Sequence, residues 1–330
     1  MAAWQAGKGG YRAGVLTAAG QTLQAVDLPG RGHGMACDSA GRQAVIFARR
    51  PGRFALVLDL RTGERRAEIS AVRGRHFYGH GCFSVDGQRL YATENDYEGE
   101  RGVIGVYDAA DGFRRIGELP SHGVGPHELR LHPDGGTLVV ANGGILTHPD
   151  VPRAKLNLTE MAPSLVFLEA SSGHLLHRVA PPAALHRLSL RHLDIACDGR
   201  VAVVAQWEGD PLERPPLVGF TALGEPLRLV SAPEDGQAGM RNYCGSVAFS
   251  DDGSRLAVTA PRGGLVTLWR SDGSFLGAEE LPDVCAVGAV PGGFLLASGE
   301  GHLAELRGGR LIPVDRSSRR FDNHLMPLSV

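Results

Sequence analysis

Five of the thirteen histidines, His33, His80, His127, His192 and His324, share one place in a repeating unit: each heads a short strand-like apolar run, and four of those runs end in a turn. Imidazole is a ready ligand for iron, copper and zinc, so rings delivered one per unit to a common point would make a metal site. Nearby carboxylates would bias such a site toward iron or a hydrolytic zinc, and an all-nitrogen ring toward copper. Iron or copper is therefore expected ahead of zinc. Glu94, Asn95, Asp96, His122, Glu128, His148 and Arg262 are candidates for further ligands or for groups that orient a ring N–H. A structural reading stands beside this one. In propellers of the WD type a histidine before the innermost strand bonds buried polar groups of its own blade, and Asp59, Asp108 and Glu169 occupy suitable partner slots.

Other chemistries find less support. There is no Gly-x-Ser-x-Gly elbow, phosphate-cradling glycine loop or dinucleotide fingerprint. A lactonase-like enzyme could still be assembled from single polar residues, with Glu94 or Glu128 working beside His127 as acid and base. A non-catalytic propeller that offers one face to a protein partner is the remaining alternative. Cys285, at the start of a run equivalent to those of the histidines, reads as inert core rather than as a thiolate ligand.

The elements that must position these residues follow from the repeat. His33, His80 and His127 are spaced 47 and 47 residues apart, and their runs close in turns at Gly41, Gly87 and Gly135. A period of that size indicates a propeller or a solenoid of the WD40 or YVTN kind. Between the histidine-headed runs the chain shows further period-2 or buried apolar runs bounded by Gly, Asp, Asn or Pro, which makes four strands per unit. Six complete units and a seventh first strand at His324 can be placed. The unclaimed runs Tyr11 to Leu16 and Gln21 to Leu28 are then needed to complete the last blade. The expected architecture is all-β: a seven-bladed β-propeller of four-stranded blades, closed by pairing N-terminal strands with the C-terminal strand, which removes exposed sheet edges. It forms a single domain over residues 1–330, with residues 1–10 as a flexible stub. The segment Gly143 to Ser164 departs from the repeat and reads as a long loop on the histidine-bearing face.

Composition agrees with a turn-rich globular chain: 46 Gly, 20 Pro and 21% charged residues leave enough apolar matter for a core. A net charge of -2 with no Lys/Arg run argues against nucleic acid or an anionic membrane surface as the main partner, since both need a clustered positive field. No run of 18 apolar residues suggests membrane insertion. The N-terminus lacks the basic and apolar regions of a secretory signal, so the chain reads as cytoplasmic if complete and as a mature exported form if a leader has been removed. Five cysteines with no Cys-x-x-Cys pair and no dense framework leave one disulfide possible.

Several strings are distinctive: Arg31 to Gly34, Arg75 to Gly81, Thr93 to Tyr97, Gly102 to Asp108, Ser121 to Leu129, Asn142 to Ile145, Thr147 to Asp150, Arg191 to Leu193, Pro261 to Gly263 and Asp322 to Leu325. By these strings the chain resembles the bacterial propeller family called domain of unknown function 1513, over nearly its whole length. The resemblance implies a periplasmic protein exported by the twin-arginine route, and iron-uptake physiology in the company of an imelysin-like or di-haem protein partner. It carries no activity with it.

Overall fold

The computed structural model describes residues 1–7, 9–151 and 154–328. Three strands come first: β1 (Ala2–Gln5), β2 (Tyr11–Leu16) and β3 (Thr22–Leu28). The next blade holds β4 (Gly32–Cys37), β5 (Gln43–Ala48), β6 (Phe54–Asp59) and β7 (Arg65–Ser70). It is followed by β8 (Arg75–Phe83), β9 (Arg89–Asp96), β10 (Arg101–Asp108) and β11 (Arg114–Pro120). Then come β12 (Pro126–Leu131), β13 (Thr137–Asn142), β14 (Ser164–Glu169) and β15 (Leu175–Val179), and next β16 (Leu188–Ile195), β17 (Val201–Trp207), β18 (Val218–Thr221) and β19 (Arg228–Val230). A short helix α1 (Glu234–Gly239) leads to β20 (Ser246–Phe249), β21 (Arg255–Ala260), β22 (Leu265–Arg270) and β23 (Phe275–Glu280). The last strands are β24 (Val284–Val290), β25 (Gly293–Ser298), β26 (His302–Arg307), β27 (Arg310–Arg316) and β28 (Arg320–Leu325). These make seven four-stranded sheets, and the fold is a seven-bladed β-propeller.

One blade has the order β28-β1-β2-β3, so the C-terminal strand pairs with an N-terminal one as the repeat requires. One expectation is corrected here. Ala2–Gln5 is not a flexible stub but the strand that supplies the missing fourth element, with Ala2, Ala3 and Trp4 buried. Small apolar side chains let it slot between β28 and β2, with Trp4 opposite Phe321 and Arg12.

Two compact units can be distinguished, one made chiefly of Leu28–Arg191 and the other of Met1–Asp27 with His192–Pro327. In the first, each blade packs its apolar face against the next. Phe47, Phe77, Leu90 and Tyr107 fill one such layer, and Ile104, Leu129, Leu138 and Leu168 the following one. In the second, Val266, Val284, Phe294 and Leu296 make one layer, and Trp4, Cys285, Ala297 and Phe321 another. A fully buried Phe or Leu side chain contributes roughly 1.5–3 kcal/mol, so these layers hold the polar residues of the innermost strands in fixed positions. No helix among the described residues is long and apolar enough to cross a membrane.

Candidate metal centre

The histidines do not simply open their strands. In Leu28–Arg191 each sits at a break in the ladder between the innermost strand and its neighbour. The register of β4 on β5 shifts between Gly32 and Met35, around His33. That of β8 on β9 shifts between Phe77 and Gly81, around His80, and that of β12 on β13 between Pro126 and Glu128, at His127. A bulge inserts unpaired backbone and turns a side chain out of the regular alternation, a device common beside functional sites. The same feature recurs at Cys285 in β24, so it belongs to the repeat.

Two glycines make the histidines' approach possible. A Cβ on Gly34 would stand 2.6 Å from His80 Nδ1 and would also meet the carbonyl oxygen of Gly79. Gly79 has φ 102°, a left-handed conformation open to glycine, and a Cβ there would lie 2.7 Å from His33 Cδ2. With both positions bare, the rings of His33, His80 and His127 come together. Centroid separations are 4.9 Å for His33–His80, 5.3 Å for His80–His127 and 6.1 Å for His33–His127. His33 and His80 are buried and His127 is half-buried.

One ring nitrogen of His80 lies within 4.8 Å of a nitrogen of His33, and one within 4.8 Å of a nitrogen of His127. Metal–nitrogen bonds of about 2.0–2.1 Å place two bound nitrogens about 3.4 Å apart in a tetrahedron and about 4.2 Å apart when opposed. The His33–His80 and His80–His127 nitrogen pairs thus approach the separations that two ligands of one ion require. Glu128 is buried beside it, with Oε2 3.9 Å from His80 Nδ1 and Oε1 3.1 Å from Arg130 Nε. In the other unit His192 and His324 form a second contact, with centroids 4.7 Å apart.

The remaining candidates are distributed elsewhere. Glu94, fully buried, accepts hydrogen bonds from Tyr107 Oη at 2.5 Å, Arg115 Nη2 at 3.1 Å and Arg75 Nη1 at 3.3 Å. Gly105 leaves the space its carboxylate fills. Asp96 pairs with Arg75 and Arg101, and Glu118 with Arg75, Arg101 and Arg115. The hydrogen bond from Arg75, with those from Arg115 and Arg101, holds the Glu118 carboxyl down at about 2. Burial and the Glu94 carboxylate push the Tyr107 phenol far up. His122, in a left-handed conformation, is hydrogen-bonded through Nε2 to the Gly173 carbonyl at 3.0 Å, and Arg262 stacks 4.2 Å over the Tyr243 ring.

Asn95 belongs to a further group that sequence reasoning passed over. Its amide nitrogen lies 3.1 Å from His76 Nε2 and donates to the Thr147 carbonyl at 3.1 Å. Tyr97 stacks on His76 with centroids 6.1 Å apart, and His148 meets Tyr97 edge-on at 5.1 Å. Burial lowers the pKa of His76, which keeps it neutral. The tip of the long 143–164 loop is thus docked onto the blade of β8–β11 through Thr147 and His148, while Pro152 and Arg153 of that loop lie outside the described residues. Only the place of His76, four positions before His80 on the same strand, hinted at this group. The cysteines fit the inert reading. The Cys285 thiol lies 3.4–3.6 Å from the carbonyls of Phe321, Asp322 and Ala297, and burial pushes Cys244 up to about 12.

The family model described as "Protein of unknown function (DUF1513)" matches residues 26–328. The chain belongs to this family. In this DUF1513 protein the innermost strands of a propeller carry clustered histidines. No curated protein matches the chain. Among solved structures it is similar to Kuenenia stuttgartiensis hydrazine synthase, with a TM-score of 0.64 and 14% sequence identity over 90% of this chain and 87% of that one. At that identity the likeness shows the fold alone.

Proposed function

We propose that this DUF1513 protein binds a transition-metal ion through its blade-opening histidines, with His33, His80 and His127 as the nucleus of the site. The observation that carries the reading is the convergence of three imidazoles from three successive bulged strands, made possible by Gly34 and Gly79. The ring nitrogens supply an all-nitrogen donor set. Copper is favoured over zinc and iron by such donors, and Glu128 is the carboxylate nearest to a ring nitrogen of His80. His192 and His324, in contact within the other unit, are proposed as a second pair of ligands. The setting we infer from the family resemblance is periplasmic and linked to iron physiology, with an imelysin-like or haem protein as neighbour. Cell fractionation and pulldown from the periplasmic fraction test that part.

The test of binding is calorimetric titration of untagged protein with Cu(II), Zn(II) and Fe(II), beside a His80→Ala, His127→Ala double variant. Stoichiometric uptake with Cu(II) tightest, weakened about a hundredfold in the double variant, supports the reading. Equal heats for wild type and the double variant would contradict it. The His192→Ala variant shows whether the second contact takes up an ion of its own.

A further inference from the structure

Three blade junctions are closed at the turns that follow the innermost strands. A Cβ on Gly87 would lie 3.7 Å from Asp38 of the preceding blade, one on Gly135 2.7 Å from Val85 Cγ2, and one on Gly253 3.3 Å from Ala196. The junction between the blades of β20–β23 and β24–β27, both within His192–Pro327, is open at the corresponding place. A Cβ on Gly292 would meet only Arg307 Nη1 of its own blade, at 3.1 Å, and one on Gly308 or Gly309 would meet nothing within 4 Å. The result is a cleft of about 250 Å³, lined by Leu268, Phe294 and Leu306 of one core layer and by the turn that carries Asp251 and Arg255. Ser250-Asp251-Asp252-Gly253 is the same turn as Ser84-Val85-Asp86-Gly87, with the second acid held by the serine hydroxyl in each. Asp251 therefore stands where Val85 fills the earlier junction. The Asp252 carboxylate is committed to Ser250 and Ser254, whereas the side chains of Asp251 and Arg255 make no hydrogen bond or ion pair among the described residues.

We propose that this cleft binds a free α-amino acid with an apolar side chain. Its lining offers one uncommitted carboxylate, one uncommitted guanidinium and a patch of apolar side chains. A zwitterion satisfies all three: Asp251 takes the ammonium, the planar Arg255 fork takes the carboxylate oxygens two at a time, and the apolar side chain lies on Leu268, Phe294 and Leu306. A ligand with a single charge would leave either Asp251 or Arg255 without a partner. The size agrees, since about 250 Å³ falls below the roughly 300–1,000 Å³ usual for drug-sized molecules and suits a smaller one. None of the candidate metal ligands except their unit is shared with this cleft: no histidine lines it, so the inference stands apart from the metal reading.

The experiment is calorimetric titration of the full chain, without added metal, with L-leucine and L-phenylalanine, beside leucinamide, which lacks the carboxylate, and N-acetyl-leucine, which lacks the ammonium. Saturable binding of the free amino acids at one site is expected, with each derivative weaker by about fivefold, the effect of losing one partly exposed ion pair. Arg255→Gln should weaken leucine by the same factor and leave leucinamide unchanged, and Asp251→Asn should weaken leucine and leave N-acetyl-leucine unchanged, because each variant then removes a partner its derivative no longer uses. Both residues are exposed, so the urea midpoint of either variant should match wild type. No saturable binding of either amino acid overturns the inference. So does a derivative that binds as tightly as leucine, or a leucine Kd unchanged in either variant.

Discussion

Leu28–Arg191 buries two polar clusters, and they meet the cost of burial in opposite ways. Around Glu94 the chain supplies its own counter-charges: Arg75, Arg101 and Arg115 face Glu94, Asp96 and Glu118, with Tyr107 donating to the same carboxylate. Around His33, His80 and His127 it supplies three groups of one kind, whose rings pack against one another. A network closed on itself serves stability, because removing a buried member such as Glu94 strands the charges that faced it. A cluster of like donors is suited to a cation from outside. Burial alone therefore does not distinguish a functional polar group from a structural one, whereas the chemical identity of its neighbours does.

The largest effect is expected from the closed network. Glu94→Ala should lower unfolding free energy by about 3–5 kcal/mol, since Arg75 and Arg115 lose their fully buried partner. Urea denaturation measures the loss, and metal affinity of the remaining folded protein should stay as in wild type. Conversely, His80→Ala, His127→Ala should weaken metal binding by about a hundredfold, or about 2.7 kcal/mol, with a smaller change in urea midpoint.

The glycines test whether geometry or mere presence of histidine matters. Gly34→Ala, which pushes a methyl against His80 Nδ1, should weaken metal binding about tenfold although every ligand remains. Isothermal titration with Cu(II) checks it.

Acid distinguishes the clusters by another route. The Glu118 pKa is depressed in the folded state, so its stabilisation is complete above the ordinary value of 4.5 and disappears as pH falls toward about 2. At about a third exposed it contributes on the order of 1 kcal/mol after solvent screening, read as a drop in Tm across that window. His76 acts earlier. Its folded pKa lies below the ordinary 6.5, so its stabilisation is present above that value and is lost as pH falls below it. His76→Phe should flatten the upper part of the curve. The smallest effect concerns thiols: Cys82 and Cys244 are pushed up to about 12 by burial, so Cys197, which is exposed, should be alkylated first by iodoacetamide at pH 8.

Much of the fold was legible because the 47-residue spacing of His33, His80 and His127 is a property of the repeat itself. Strand β1 was not, since four residues rich in alanine show no alternation, and their burial depends on β28 arriving from the far end of the chain. The histidine positions were legible and their exact roles in the strands were not: a bulge is set by backbone register, which Gly79 permits without announcing. Glu94 and Asp96 looked like ligand candidates because their partners, Arg75, Arg101 and Arg115, come from three other strands of the blade. Asn95 and His76 meet only through the same cross-strand pairing, in which they stand opposite each other.

X-ray absorption at the metal edge of Cu(II)-loaded, untagged protein reads whether the imidazoles of His33, His80 and His127 hold the ion. The expected spectrum has a first shell of nitrogen at about 2.0 Å with the outer-shell scattering of at least three imidazoles, reduced in the His80→Ala, His127→Ala variant. A shell of oxygen without imidazole scattering, or a spectrum unchanged in that variant, would contradict it.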